Sequence, residues 1–66
     1  MRLIINSQER EIPDGSTVAA LLNQLGVTKD RVAVERNGGI VAKADYDRAF
    51  LAEGDRLEVV QFVGGG

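Results

Sequence analysis

The fold of this chain is decided by its last strand-like segment, Arg56-Leu57-Glu58-Val59-Val60-Gln61-Phe62, which runs into Val63 and then Gly64-Gly65-Gly66. The segment follows a turn pattern, Ala52-Glu53-Gly54-Asp55. Its apolar residues Leu57 and Val59 alternate with charged ones, which is typical of a strand with one buried face. We therefore predict a final strand over residues 56–62, with a glycine tail directly behind it.

A short amphipathic helix is predicted between Thr17 and Gly26. Residues 13–16, Pro-Asp-Gly-Ser, stop the segment before it, and the Thr17 hydroxyl can accept a bond from a free N–H of the first turn. Gly26 ends the helix, because glycine takes the left-handed conformation easily. A helix of about two turns is not stable alone, so it must pack on a sheet. Its apolar residues share one face: Val18, Leu21, Leu22 and Leu25.

Further strand-like segments complete the pattern. Residues 2–6 and 10–12 are strand-like, and Asn6-Ser7-Gln8-Glu9 offers turn residues between them, so an N-terminal hairpin is predicted. Residues 32–36 predict a third strand, and Asn37-Gly38 predicts a tight turn before a short strand at Ile40-Val41. Residues 42–50 show no regular pattern.

One helix among several strands favours an α+β fold. We infer from topology, and not from periodicity, that the first and last strands are parallel neighbours at the centre, which gives a β-grasp: a mixed four- to five-stranded sheet with one main helix packed across one face. We expect residues 1–63 to form this domain and residues 64–66 to form a flexible tail.

The composition excludes several classes of function. A chain of 66 residues has room for one domain. It has no Cys, His or Trp, which excludes disulfides, thiolate or imidazole metal ligands and the usual pairs of nucleophile and base. We therefore expect no metal site, no bound cofactor and no enzymatic activity of its own.

The charge and hydropathy of the chain argue against two kinds of partner, nucleic acids and membranes. The net charge is -2, and the eight basic residues are scattered without forming a run, which argues against nucleic acid. No apolar stretch approaches the roughly 20 residues that cross a bilayer, and the N-terminus lacks the pattern of a signal peptide. We expect a cytoplasmic chain that is monomeric when free and does not bind membranes.

The three glycines point to chemistry at the end of the chain. A backbone without Cβ atoms can thread a channel too narrow for side chains, and three extended residues reach about 10 Å. The terminal carboxylate is a weak electrophile until a partner activates it, and adenylation followed by attack of sulfide or a persulfide leaves a thiocarboxylate. This chemistry lets a chain without cysteine carry sulfur. A disordered end or a linker remnant is the alternative interpretation.

The sequence resembles the ThiS family of thiamine-biosynthesis sulfur carriers over essentially its whole length. The matching segments are Leu3-Ile4-Ile5-Asn6, Gly15-Ser16-Thr17-Val18, Leu21-Leu22, residues 32–37, residues 54–60 and Phe62-Val63-Gly64-Gly65-Gly66. The family residues carried over are Gly65 and Gly66, with Gly66 as the attachment point of adenylate and thiocarboxylate. Gly64 extends the minimal diglycine and is expected to help the tail thread into a partner.

The resemblance also implies a ubiquitin-like β-grasp fold and a set of partners. An E1-like adenylating enzyme of the ThiF type would activate the tail with ATP and Mg, which this chain does not bind itself. A persulfide protein would donate the sulfur, and thiazole synthase of the ThiG type would receive it. The chain is then a carrier protein and a co-substrate of its partner enzymes.

A docking surface is expected beside the tail. Val60 and Phe62 lie on the strand face opposite Leu57 and Val59, where they could form an apolar patch with Val63; alternatively, a bulge could turn Phe62 inward. Three acidic residues could pair with basic groups of an adenylating enzyme, and the alternative interpretation of each one is a solvated position in an acidic turn: Glu53, Asp55 and Glu58. Asp45 and Asp47 are interpreted as solvent-facing or capping groups without a catalytic role.

Three other functions fit parts of the pattern. The small subunit of molybdopterin synthase also resembles a β-grasp domain ending in Gly-Gly, but residues 59–62 lack the Phe-Pro-rich approach to the tail associated with that family. A non-catalytic β-grasp interaction module would tolerate residues after Gly66. Conjugation of the chain to proteins through an isopeptide bond would share the activation step.

Overall fold

The computed structural model describes residues 1–62. In this range, five strands and one α-helix follow one another: β1 (Arg2–Ile5), β2 (Gln8–Glu11), α1 (Val18–Leu25), β3 (Val32–Arg36), β4 (Gly39–Ile40) and β5 (Arg56–Gln61). Short 3-10 turns lie at Lys29–Arg31 and Lys43–Asp45. Val63 and the glycines 64–66 lie outside the described residues, so the division into a domain of residues 1–63 and a flexible tail stays a prediction.

The strands form one mixed sheet in the order β2-β1-β5-β3-β4. β1 and β5 are parallel, with Ile4 opposite Arg56 and Ile5 opposite Leu57. β5 and β3 are antiparallel over five residue pairs, and the two hairpins β1-β2 and β3-β4 form the flanks of the sheet. The last strand therefore lies in the middle, and the predicted α+β fold of the β-grasp type is confirmed.

The core lies between α1 and one face of the sheet. Alternate residues of β1, β3 and β5 are buried in one cluster with the apolar face of α1: Leu3, Ile5, Val32, Val34, Leu57, Val59, Val18, Leu21 and Leu22. Leu25 is half-buried at the end of the helix. Gly26 follows with φ 75° and ψ 25°, the left-handed conformation that ends the helix as predicted.

The irregular segment after β4 satisfies the backbone at the start of α1. The first N–H groups of a helix have no partner inside it. Here the N–H of Val18 donates to the carbonyl of Ala49 at 3.0 Å, and the N–H of Ala19 donates to the carbonyl of Tyr46 at 2.9 Å. The Thr17 hydroxyl accepts from the N–H of Ala20 at 3.1 Å, which confirms the predicted cap. Residues 46–49 therefore help to fix the helix on the sheet.

Several strand boundaries differ from the sequence-based prediction, and β4 spans Gly39–Ile40 rather than Ile40-Val41. The first hairpin turns over only two residues, Asn6 and Ser7, with φ of 50° and 69°, so β1 ends before Asn6 and β2 spans Gln8–Glu11 rather than residues 10–12. Positive φ at both positions is the type I′ geometry that matches the twist of a hairpin. At the other end of the sheet, β5 ends at Gln61, one residue before Phe62.

Candidate functional site

The outer face of β5 carries the side chains predicted to dock a partner. Glu58 and Val60 alternate with the buried residues Leu57 and Val59, so they point away from the helix. Val60 is 55% exposed and Phe62 is 57% exposed. The outward orientation of both apolar side chains is confirmed, and Phe62 is not turned inward. Their role in docking stays a prediction, and Val63 lies outside the described residues.

Two carboxylates oppose each other beside this apolar pair. Glu58 of β5 lies directly opposite Glu35 of β3, and both are exposed. Among residues 1–62, neither forms an ion pair with a basic group. Like charges directly opposite each other in a sheet are unfavourable, and a basic group of a partner would relieve the repulsion. The arrangement suits the electrostatic docking role predicted for Glu58.

Both edges of β5 are held close to the point where the described chain ends. On the β3 side, Gln61 lies opposite Val32, and the N–H of Phe62 donates to the carbonyl of Arg31 at 2.8 Å. On the β1 side, the side chain of Asn6 forms two hydrogen bonds with Val59. Sequence reasoning identified Asn6 as a turn residue and missed this contact, which depends on a strand more than fifty residues away.

Asp55 is part of the protein interior rather than a surface for partners. It is 8% exposed, and one carboxylate oxygen accepts from Nε and Nη2 of Arg36 at 2.9 and 2.8 Å. That oxygen also accepts from the N–H of Ala52 at 2.8 Å, and the other accepts from Nδ2 of Asn37 at 3.0 Å. The predictions that Asp55 pairs with an adenylating enzyme or is solvated are both wrong, because the residue is buried and both carboxylate oxygens bind groups of the domain itself.

The protonation of Asp55 reflects two opposing effects. Burial alone raises the pKa of the carboxyl group, because it penalises the charged form. Hydrogen bonds from Asn37 and Ala52, together with the hydrogen bond and charge of Arg36, outweigh burial and leave the pKa of Asp55 below its ordinary value. Asp55 is therefore a charged group that joins the start of β5 to the β3-β4 turn.

The remaining acidic candidates lie at the surface. The carboxylate of Glu53 accepts from the main-chain N–H of Arg2 at 2.8 Å and is exposed. Its pairing with a partner stays a prediction. Asp45 and Asp47 are exposed, as predicted, and Asp45 lies 3.6 Å from the guanidinium of Arg48.

Neither a membrane span nor a metal site is found in the part of the chain that the structure describes. None of its helices is both long enough and apolar enough to cross a bilayer. None of its groups of acidic side chains is arranged to hold a metal ion.

Comparison with known proteins supports one family. The family model described as the ThiS family matches residues 2–66. A thiazole synthase from Paramagnetospirillum magneticum is 50% identical over all 66 residues, and one from Magnetococcus marinus is 39% identical over the same length. The chain spans only 20% of the length of each of these two relatives.

Smaller relatives match this domain over most of their own length. The sulfur carrier protein ThiS of Bacillus subtilis is 40% identical over 53 residues, which is 80% of both chains. The crystal structure of the thiamine biosynthesis protein ThiS from Geobacter metallireducens superposes with a TM-score of 0.84 at 30% identity and covers 100% of both chains. With the family model matched almost from end to end and the β-grasp sheet in place, this chain belongs to the ThiS family.

Proposed function

We propose that this chain is a sulfur carrier of thiamine biosynthesis, and that the carboxylate of Gly66 is the group that carries the sulfur. The observation that supports this most strongly is the combination of a ThiS-family domain with three glycines that follow its central strand. The similarity to the sulfur carrier of Bacillus subtilis supports the same role. In this function the chain is a co-substrate rather than an enzyme.

The reaction requires activation of the tail by another protein. A free α-carboxyl has a pKa of about 3.3–3.7, so at neutral pH the carboxylate of Gly66 is ionised and resists attack. Transfer of AMP from ATP, with Mg, gives a mixed anhydride and releases pyrophosphate. Sulfide attacks the carbonyl carbon and displaces AMP, which leaves the thiocarboxylate. When the donor is a persulfide, its outer sulfur attacks in the same way and gives an acyl disulfide; a thiol reductant then breaks the S–S bond, releases the thiocarboxylate and is oxidised to a disulfide with the donor. An E1-like enzyme of the ThiF type supplies ATP, Mg and the active site, while this chain supplies the carboxylate.

Glycine is required in the tail because the activated carbon must reach into a partner. Gly64, Gly65 and Gly66 carry no side chains that would collide with a narrow channel. Fixing three such residues costs about 3–6 kcal/mol at 1–2 kcal/mol per residue. The folded domain must therefore contribute part of the binding free energy.

The outer face of β5 can offset much of that cost. Fully burying a valine or phenylalanine side chain contributes about 1.5–3 kcal/mol. Val60 and Phe62 are already partly covered, at 55% and 57% exposed, so burying the remainder contributes about 2–3 kcal/mol for the two together. This is close to the lower bound of the ordering cost, so further contacts are needed. A basic group facing Glu58 and Glu35 is one of them.

Thiazole synthase is the partner that we propose for sulfur delivery. The two proteins named thiazole synthase each contain a segment similar to this whole chain, alongside four-fifths of sequence that has no counterpart here. A carrier domain within the same polypeptide as the enzyme it serves would have the high effective concentration of a tethered ligand. These relatives favour thiamine over the molybdopterin pathway.

The proposal is tested by intact mass spectrometry. A chain ending at Gly66 is incubated with a ThiF-type enzyme, ATP, Mg and sulfide, and we expect a new species heavier by the difference between sulfur and oxygen. The matched control carries one alanine after Gly66; it should keep the same melting temperature and gain no sulfur. A wild-type chain that stays at the carboxylate mass, or an alanine-extended chain that gains sulfur, would contradict the proposal.

The acceptor is identified in a second step. The thiocarboxylate form is mixed with thiazole synthase or with the large subunit of molybdopterin synthase, each with its own substrates. We expect loss of the sulfur mass with thiazole synthase alone. Transfer in the molybdopterin reaction only would assign the carrier to the rival pathway.

A further inference from the structure

β5 extends past the end of its parallel neighbour. The last β1 residue paired with it is Ile5, opposite Leu57, and the N–H of Asn6 donates to the carbonyl of Leu57 at 2.9 Å. The chain then turns back into β2, while β5 continues to Gln61. Beyond Leu57, no β1 residue pairs with this edge of β5 through its main chain in the described part of the molecule.

The side chain of Asn6 takes the place of the missing strand. Its Oδ1 accepts from the N–H of Val59 at 2.8 Å, and its Nδ2 donates to the carbonyl of the same residue at 3.1 Å. A carboxamide presents one acceptor and one donor side by side, as the C=O and N–H of a single residue in a neighbouring strand do. Asn6 therefore extends the β1 edge by the equivalent of one residue.

The turn geometry makes this contact possible. Asn6 has φ 50°, a left-handed conformation that asparagine adopts more readily than most residues. In this conformation the backbone turns away from β5 and enters β2, while the side chain of Asn6 remains in contact with β5. The same residue thus turns the first hairpin and closes on the central strand.

We propose that Asn6 is a positioning residue for the sulfur-carrier reaction, because its side chain fixes the strand that leads into the glycine tail. Val59 is followed by Val60 and Phe62, the exposed side chains of the docking face. With Asn6 on one edge and β3 on the other, this segment has a defined direction before any partner binds. The proposal deepens the sulfur-carrier function proposed above and rests on it.

The test compares two variants with one control. Asn6→Gly keeps a residue that tolerates positive φ and removes both hydrogen bonds to Val59. Asn6→Asp keeps the shape and the acceptor but replaces the donor by a second oxygen that faces the Val59 carbonyl. Ser7→Gly changes the other turn position, at φ 69°, and leaves the Asn6 contact in place.

The first measurement does not depend on sulfur chemistry. Amide hydrogen exchange is followed by NMR at Val59 and, as an internal reference, at Ile4, whose N–H donates to the carbonyl of Asp55 at 2.9 Å. We expect exchange at Val59 to accelerate about 5- to 10-fold in Asn6→Gly, the effect of one net hydrogen bond. Exchange at Ile4 in this variant, and at both positions in Ser7→Gly, should stay near wild type.

The second measurement is the kinetics of adenylation, followed as pyrophosphate release by a ThiF-type enzyme. If the end of β5 must be ordered on binding, the KM for the carrier should rise about 2- to 10-fold with little change in kcat. We expect this split for Asn6→Gly and Asn6→Asp and not for Ser7→Gly. Unchanged KM in both Asn6 variants, or a fall in kcat alone, would overturn the positioning role. A wild-type chain that is not adenylated at all would instead overturn the proposed function.

Discussion

Replacing Asp55 with alanine is expected to destabilise the domain strongly, because this charged residue is buried and both of its carboxylate oxygens accept hydrogen bonds. The carboxylate accepts hydrogen bonds from three places: the Arg36 guanidinium, the Asn37 amide and the N–H of Ala52. Together they join the loop before β5 to the end of β3 and its turn. Asp55→Ala removes the acceptor for all of them and leaves the donors in a site where Asp55 itself is 8% exposed.

The magnitude follows from how well the donors can be rehydrated. Removing one partner of a fully buried ion pair costs about 3–5 kcal/mol. The Arg36 side chain is 29% exposed, so water can reach part of its charge and the loss is smaller. We expect a decrease of about 2–4 kcal/mol in the free energy of unfolding. A domain of this size has about 3–10 kcal/mol in total, so the expected loss is a large share of its stability.

Urea denaturation followed by circular dichroism measures this change. Asp45→Ala is the matched control, because Asp45 is exposed and its pair with Arg48 lies at 3.6 Å on the surface. Its effect should stay below about 0.5 kcal/mol. If the two variants lost the same stability within that margin, the interior role of Asp55 would be refuted.

Three further predictions concern the pH dependence, the core and the helix cap. Because the pKa of Asp55 is lowered in the folded state, its contribution is present above the unfolded value of about 3.9 and is lost as the pH falls below it; the stability difference between wild type and Asp55→Asn in urea titrations should shrink at acidic pH, and a constant difference from pH 7 downward would contradict this. Leu22 is 2% exposed, so Leu22→Ala should lower the unfolding free energy by about 2–5 kcal/mol, and a change below about half a kcal/mol would show that the helix faces the wrong way. Thr17→Ala should cost about 1 kcal/mol in thermal unfolding, whereas Thr28→Ala, whose side chain forms no capping hydrogen bond, should cost much less; equal losses would argue against the cap.

The fold was predictable where the determining contacts are local. The helix begins and ends where Thr17 and Gly26 place its caps, and β3 has the predicted bounds because alternating valines precede an Asn-Gly turn. The turn of the first hairpin was predicted to be longer than it is, because Asn6-Ser7 lacks the glycine that usually marks a two-residue turn. Tyr46 is buried in a segment without periodicity. Its position depends on main-chain bonds to the helix start, which no local pattern indicates.

The outward orientation of the docking side chains was predictable from the sequence, but the hydrogen bonds that hold β5 in place were not. The alternation in β5 was enough to place Val60 outward. The sequence predicts a surface position for Asp55, because a Gly-Asp turn has the same sequence whether its carboxylate faces water or a neighbouring strand. Its partners, Arg36 and Asn37, lie 19 and 18 residues away, so the contact becomes visible only when β3 and β5 are paired. Asn6 and Val59 are separated by 53 residues and were missed for the same reason.

The position of β5 at the centre of the sheet has a consequence for any function of the residues that follow it. An edge strand is held along one side and can fray, whereas β5 is held by β3 on one side and by β1 and then Asn6 on the other. The strand is therefore held on both sides as far as Val59, and on the β3 side as far as the hydrogen bond from the N–H of Phe62 to the carbonyl of Arg31. A partner that binds the outer face of this strand therefore meets Val60 and Phe62 on a strand that is already in place. Each residue of this strand that was loose before binding would add about 1–2 kcal/mol to the ordering cost, so a central strand lowers the cost of docking that the proposed sulfur-carrier function requires.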